Sequence, residues 1–160
     1  MSPPKMHLYA AELTYGALGK IFWGGIICAI DLNVWSESKG FGFRFDFLND
    51  VVGASLIVWG IAELRPLVPD SDYDDSLRFC WYMAVVATLG AVLNHFIFPP
   101  FLAFMAIAAV TSVACSIAVL RFCDAMLVFC YHASLPDSAQ SWRMSKKIYF
   151  ALVLIPTIVL

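Results

Sequence analysis

Four side chains combine titratable chemistry with a shared place at the ends of apolar segments: Asp31, Asp46, Asp50 and His95. A histidine beside two or three carboxylates is a ligand set for a divalent cation, or a relay for protons. Asn33 and Asn94 stand next to them in the sequence. Ionised groups are costly inside a bilayer unless they have a role there, and Asp31 is expected to sit deepest, so it leads the four as a functional candidate. The same residues also read more simply, as hydrated groups near helix ends. Asp46 and Asp50 are four apart, and acidic residues at a helix start complement its dipole and cap its open amides. That structural role is the expected one for this pair.

No other pattern points to catalysis or to a cofactor. The chain has no GxSxG, HExxH, P-loop or glycine-rich phosphate motif, and its serines and histidines have no spacing that argues for a nucleophile. The five cysteines, Cys28, Cys80, Cys115, Cys123 and Cys130, form no CxxC pair and lie in apolar stretches. They are expected to be packing residues, not metal ligands or disulfide partners. No cofactor, no metal and no enzymatic activity is expected. A net charge of −2 and the lack of a Lys/Arg run give no electrostatic footprint for nucleic acid.

The elements that must position these residues are apolar and long. Hydrophobic residues make up 61% of the 160 and charged residues 14%, against about 25% charged in a soluble domain. Mean hydropathy is +0.79. About 20 apolar residues at roughly 1.5 Å rise cross a hydrocarbon layer ~30 Å thick. The expected fold is therefore all-α: a single transmembrane domain over residues 1–160, an integral membrane bundle of four to five helices. The spans are expected at about 17–35, 50–67, 79–98, 101–120 and 145–160. The final apolar run, 148–160, is short for a full span. Residues 122–135 would extend the fourth helix beyond the bilayer or lie along the interface. Residues 36–49 and the acidic segment 69–75 read as solvated loops, and Pro99-Pro100 as a tight hairpin. The first fifteen residues contain Pro3, Pro4 and Glu12 and do not read as a cleaved signal peptide.

Orientation follows from the basic residues. With five spans and the N-terminus inside, Lys5, Lys20, Arg65, Arg78, Arg121, Arg143, Lys146 and Lys147 face the cytoplasm, and only Lys39 and Arg44 face outward. The N-terminus is expected to be cytoplasmic, in a bacterial cell membrane. Small residues suggest where helices approach one another. On the first span these are Gly24 with Cys28, or Gly25 with Ala29; on the second, Gly53 and Gly60; on the fourth, Ala108, Ser112 and Ser116, and Ala114 with Ala118. Asp124 and Tyr131, seven apart, share a helix face beside His132, and read as a solvated face more readily than as a buried network.

One segment carries a resemblance. Phe22-Trp23-Gly24 is followed by Asp31-Leu32-Asn33, then by Asp46-Phe47-Leu48-Asn49-Asp50-Val51-Val52-Gly53, with Leu56-Ile57 and Gly60-Ile61 behind. Residues 19–64 resemble a family of small, uncharacterised multi-spanning bacterial membrane proteins with a D-x-L-P-D-x-x-G-like entry to the second span. Asn49 stands where that family has proline, and the loop from 35 to 45 is longer. The resemblance implies topology and no activity. The expected role is thus a small, non-enzymatic membrane component, in contact with lipid and associating with itself or with a membrane-protein partner. The alternative is a transporter or channel subunit for a small solute or ion, using Asp31, Asp46, Asp50 and His95. Against that alternative, five spans are few for a carrier and no inverted repeat is visible.

Overall fold

A computed structural model describes the backbone of residues 3–29, 46–96 and 101–155, and side chains at 12–28, 51–90, 109–153 and 155. As expected, the fold is all-α, with no strand among the described residues. Five helices follow in order: α1 Pro3–Ala29, α2 Asp46–Leu64, α3 Ser71–Phe96, α4 Phe101–His132 and α5 Pro136–Tyr149. The stretch 97–100 lies outside the described residues, and with it the expected Pro99-Pro100 hairpin.

Helix boundaries follow local chemistry. α1 opens on Pro3-Pro4, where proline's fixed φ and missing N–H suit a first turn. It starts well before residue 17 because Ala10, Ala11, Glu12 and Leu13 are strong helix formers whatever their hydropathy. α2 gives way to a 3₁₀ turn, Arg65–Leu67, at Pro66. Val68 is extended (φ −127°, ψ 123°), as the residue before Pro69 must be. The acidic segment 69–75 is a loop only as far as Asp70, which corrects the expected solvated loop. Asp70 Oδ1 accepts the Tyr73 N–H at 2.9 Å, so Asp70 caps α3, and Asp72 and Asp74 lie in the first turn, where the dipole favours them.

α4 runs unbroken for 32 residues, about 48 Å at 1.5 Å per residue. Residues 122–132 therefore extend the fourth helix, the first of the two expected readings. The helix ends in a Schellman motif: Ser134 has φ 56°, its N–H donates to Tyr131 O at 3.2 Å, and Leu135 N–H donates to Cys130 O at 2.9 Å. Pro136 then starts α5, which covers the expected polar stretch and continues as a π-helical segment, Phe150–Leu154.

The chain divides into two compact units: residues 1–61 with 84–98, and residues 62–83 with 99–160. Their packing differs in kind. In the first unit the buried side chains are small, with Thr14, Ala17, Gly24, Gly53, Ala54 and Gly60 inside together with Ile61. Large side chains there point outward: Phe22 is 62% exposed, Trp23 59% and Trp59 57%. A Cβ on Gly24 would stand 2.5 Å from Gly53 O, and one on Gly60 2.6 Å from Ala17 O, so α1 and α2 touch backbone to backbone. Of the two small-residue faces expected on α1, this contact uses Gly24 and Cys28; Gly25 faces open space. In the second unit four large side chains, Leu64, Tyr73, Leu77 and Met126, are fully buried, while others such as Val110 and Leu152 face outward. Ser116 is buried on α4, whereas Ser112 is exposed, so that small-residue stripe is packed over only part of its length.

Gly53→Ala should lower the thermal unfolding midpoint, because the new methyl meets Cys28 Sγ at 2.5 Å and Gly24 O at 2.7 Å, an overpacking that costs about 1–3 kcal/mol. Gly25→Ala, in open space, should raise it through helix propensity, by up to about 1 kcal/mol. Equal effects of the two substitutions would refute this α1–α2 contact.

Candidate functional site

The strongest polar constellation lies in the second unit, around the turn between α2 and α3. Tyr73 sits in the first turn of α3, and its hydroxyl donates to Leu64 O, the last carbonyl of α2, at 2.8 Å. That carbonyl is one of the four a helix end leaves open, and Tyr73 closes it from inside the core. Burial pushes the Tyr73 hydroxyl above its ordinary pKa, so it stays a proton donor.

Asp74, the next residue, receives Arg65 Nε at 2.8 Å on Oδ1 and Arg78 at 2.7 Å on Oδ2. One carboxylate thus joins the 3₁₀ turn to α3. The hydrogen bond from Arg65, then that from Arg78, holds the Asp74 carboxyl below the usual carboxylate range. Asp74 in turn raises Arg78, which also reaches Asp75 at 4.0 Å. All these groups are half-buried or exposed, so water screens each ion pair and none is a large stabilising term. The buried tyrosine bond adds about 0.5–1.5 kcal/mol.

A second polar seam joins α4 to α5. Lys146 Nζ donates to Asp124 Oδ1, and Arg143 donates to the Tyr131 hydroxyl. Phe122 meets Trp142 edge-on, with centroids 5.8 Å apart. With the short turn at 133–135, these contacts seat α5 against the C-terminal part of α4. Cys123, Ala125, Met126, Cys130 and Ala139 are buried in this unit. Cys80 on α3 donates its thiol to Ala118 O on α4 at 3.1 Å. The Asp124/Tyr131 face, expected to be solvated, is half-buried at Asp124 and tied to α5 at both residues. Their partners, Lys146 and Arg143, lie 22 and 12 residues further on and become visible only once the turn at Ser134 is placed.

Of the expected site residues, Asp31 lies outside the described residues. Asp46 opens α2, Asp50 follows one turn later, and His95 stands in the last turn of α3, but their side chains lie outside the described set. Among the described residues, no three His, Cys, Asp or Glu side chains converge to hold a metal ion. Every buried side-chain N or O atom described has a hydrogen-bond partner. The arrangement is built to hold helices in place; no described group is activated as a nucleophile. No protein-family model, curated protein or solved structure matches the chain.

Because the folded-state carboxyl of Asp74 is depressed, its contribution is present above the unfolded value and is lost as pH falls through the folded one. Wild type should lose part of its stability as pH falls through and below the ordinary carboxylate range, while Asp74→Asn should be less stable at neutral pH and show a smaller acid loss. Identical acid profiles in chemical unfolding would refute the clamp.

Proposed function

We propose that the chain is a small multi-pass integral membrane protein of non-enzymatic role, whose second unit carries a packed, charge-surfaced end outside the lipid. What supports this reading is the inverted packing of the first unit. In water, Phe22, Trp23 and Trp59 would be buried and Gly24, Gly53 and Gly60 dispensable. In lipid there is no hydrophobic drive to hide large side chains, and small residues let helix backbones meet. Within α4, the stretch Ala109–His132 has the length and apolar composition of a span. It is the one such stretch among the described residues; α2 carries Asp46, Asp50 and Glu63 within its 19 residues. This reading places residues 101–120 in the lipid and 122–132, packed against α5, outside it.

The four to five spans belong to this proposal. The uneven Lys/Arg distribution supports an N-terminus in the cytoplasm, and residues 19–64 support kinship with the small multi-spanning bacterial family they resemble. The C-terminal part of α4 packed with α5, together with the clamp at Arg65, Asp74 and Arg78, then forms the cytoplasmic end. Its dense packing and satisfied polar groups suit a rigid platform for a second copy or another membrane protein.

On density-gradient flotation the expressed chain should rise with the vesicles and remain there after alkaline carbonate washing. Reporter fusions after Ser71 and Gln140 should report cytoplasm, and one after Ser38 the outside. Release by carbonate would overturn the integral reading; a fusion after Ser38 reporting cytoplasm would overturn the topology alone.

A further inference from the structure

The α1–α2 contact fixes the level of one charged residue, Lys20. The two helices touch at Gly24 with Gly53 and at Ala17 with Gly60, seven residues back along α1 and seven forward along α2. They therefore run antiparallel in a single register, which sets Lys20 level with Ile57. A helical side chain leans toward the N-terminus of its own helix, and for Lys20 that direction leads from the level of Ile57 toward that of Trp59. Its ammonium lies 4.2 Å from the centre of the Trp59 ring.

The next charged level is Asp50, one turn into α2. Asp50 and Trp59 are nine residues apart, roughly 14 Å at 1.5 Å per residue. That is about half of a ~30 Å hydrocarbon layer. Charged residues bound this belt at both ends, and the surface between them faces outward: Val52 is 45% exposed, Trp59 57%, and Ser55 is exposed too. Ionised groups are costly inside hydrocarbon, and an apolar stretch too short for the layer is met by side chains that reach outward or by a thinner bilayer. Outward reach is already spent here. That of Lys20 is counted in its contact with Trp59, and an aspartate has almost none. Trp59 marks the same edge, because tryptophan favours the boundary between lipid and water.

We infer that α1 and α2 thin the bilayer beside them, drawing the headgroups of one leaflet to the level of Asp50 and those of the other to Lys20 and Trp59. The inference rests on the membrane reading above. The partner is the lipid itself, packed against Val52, Ser55 and Trp59 at about half its ordinary thickness.

The test uses the full chain in dioleoylphosphatidylcholine vesicles, with a nitroxide amino acid at Val52, Ser55 or Ala62 of α2, or at Val110 of α4, all of them exposed positions. Depth is read from collisions with oxygen and with a water-soluble nickel chelate. Ser55 should be the deepest of the three α2 sites, at about 7 Å or less, half the distance between the bounding levels. Ala62, past Trp59, should meet nickel freely, and Val110 should lie about 15 Å deep, near the middle of a full layer. A depth that grows steadily from Val52 through Ser55 to Ala62, a Val52 deeper than Ser55, or a Val110 no deeper than Ser55 overturns the local thinning and leaves the membrane reading standing. Free nickel access at all four sites overturns both.

Discussion

The chain has more large apolar side chains than its helices can enclose, and where the surplus goes governs the rest of the structure. In the first unit it goes outward. Phe22, Trp23 and Trp59 cover the surface, and the interior is left to glycine, alanine and threonine with Ile61. Such packing depends on backbones coming close, and the 2.5 Å to 2.7 Å that a Cβ would meet at Gly24, Gly53 and Gly60 shows how little room is left. At so close an approach, dispersion between the two backbones is the main attraction on offer.

The second unit buries some large side chains, and its polar contacts explain how, though others such as Val110 and Leu152 stay exposed. Large side chains can be buried there because helix ends and turns have been closed. Tyr73 closes the end of α2, Asp70 the start of α3, and the Ser134 turn the end of α4. Each closure removes unsatisfied amides or carbonyls that would otherwise hold water next to Leu64, Leu77 or Met126. The ion pairs of Asp74 and Asp124 add little energy singly. Their effect is geometric: one joins the 3₁₀ turn to α3, the other fixes α5 against α4.

Hydropathy and proline placement make much of this fold legible in the sequence. Pro66 marks the end of α2, and Gly24, Gly53 and Gly60 mark the contact between α1 and α2. Helices with polar sequences are less visible. The opening turns of α1, residues 71–75 of α3 and the whole of α5 are helical through propensity and, at α3, the Asp70 cap, neither of which a hydropathy run registers. Asp70 followed by Asp72 and Asp74 is a readable N-terminal signal. Ser134 is not readable in this way, because a left-handed residue at a helix end is usually glycine. The partners of Asp124 and Tyr131 depend on that turn, so the α4–α5 seam stays hidden until the backbone is known. The acidic cluster with His95 stood out by residue type alone, whereas the Asp74 clamp is a matter of contacts nine and four residues apart that a loop reading of 69–75 conceals.

The central claim is that lipid surrounds the apolar faces and water surrounds the charged end. Paramagnetic broadening of backbone amides in bicelles tests it residue by residue, with a nitroxide carried on the lipid chains and a soluble gadolinium chelate in the water. The nitroxide should broaden residues 52–60 and 110–119, while gadolinium broadens 70–75 and 133–143. Gadolinium broadening throughout 52–60 and 110–119, with no effect of the nitroxide, would contradict the account.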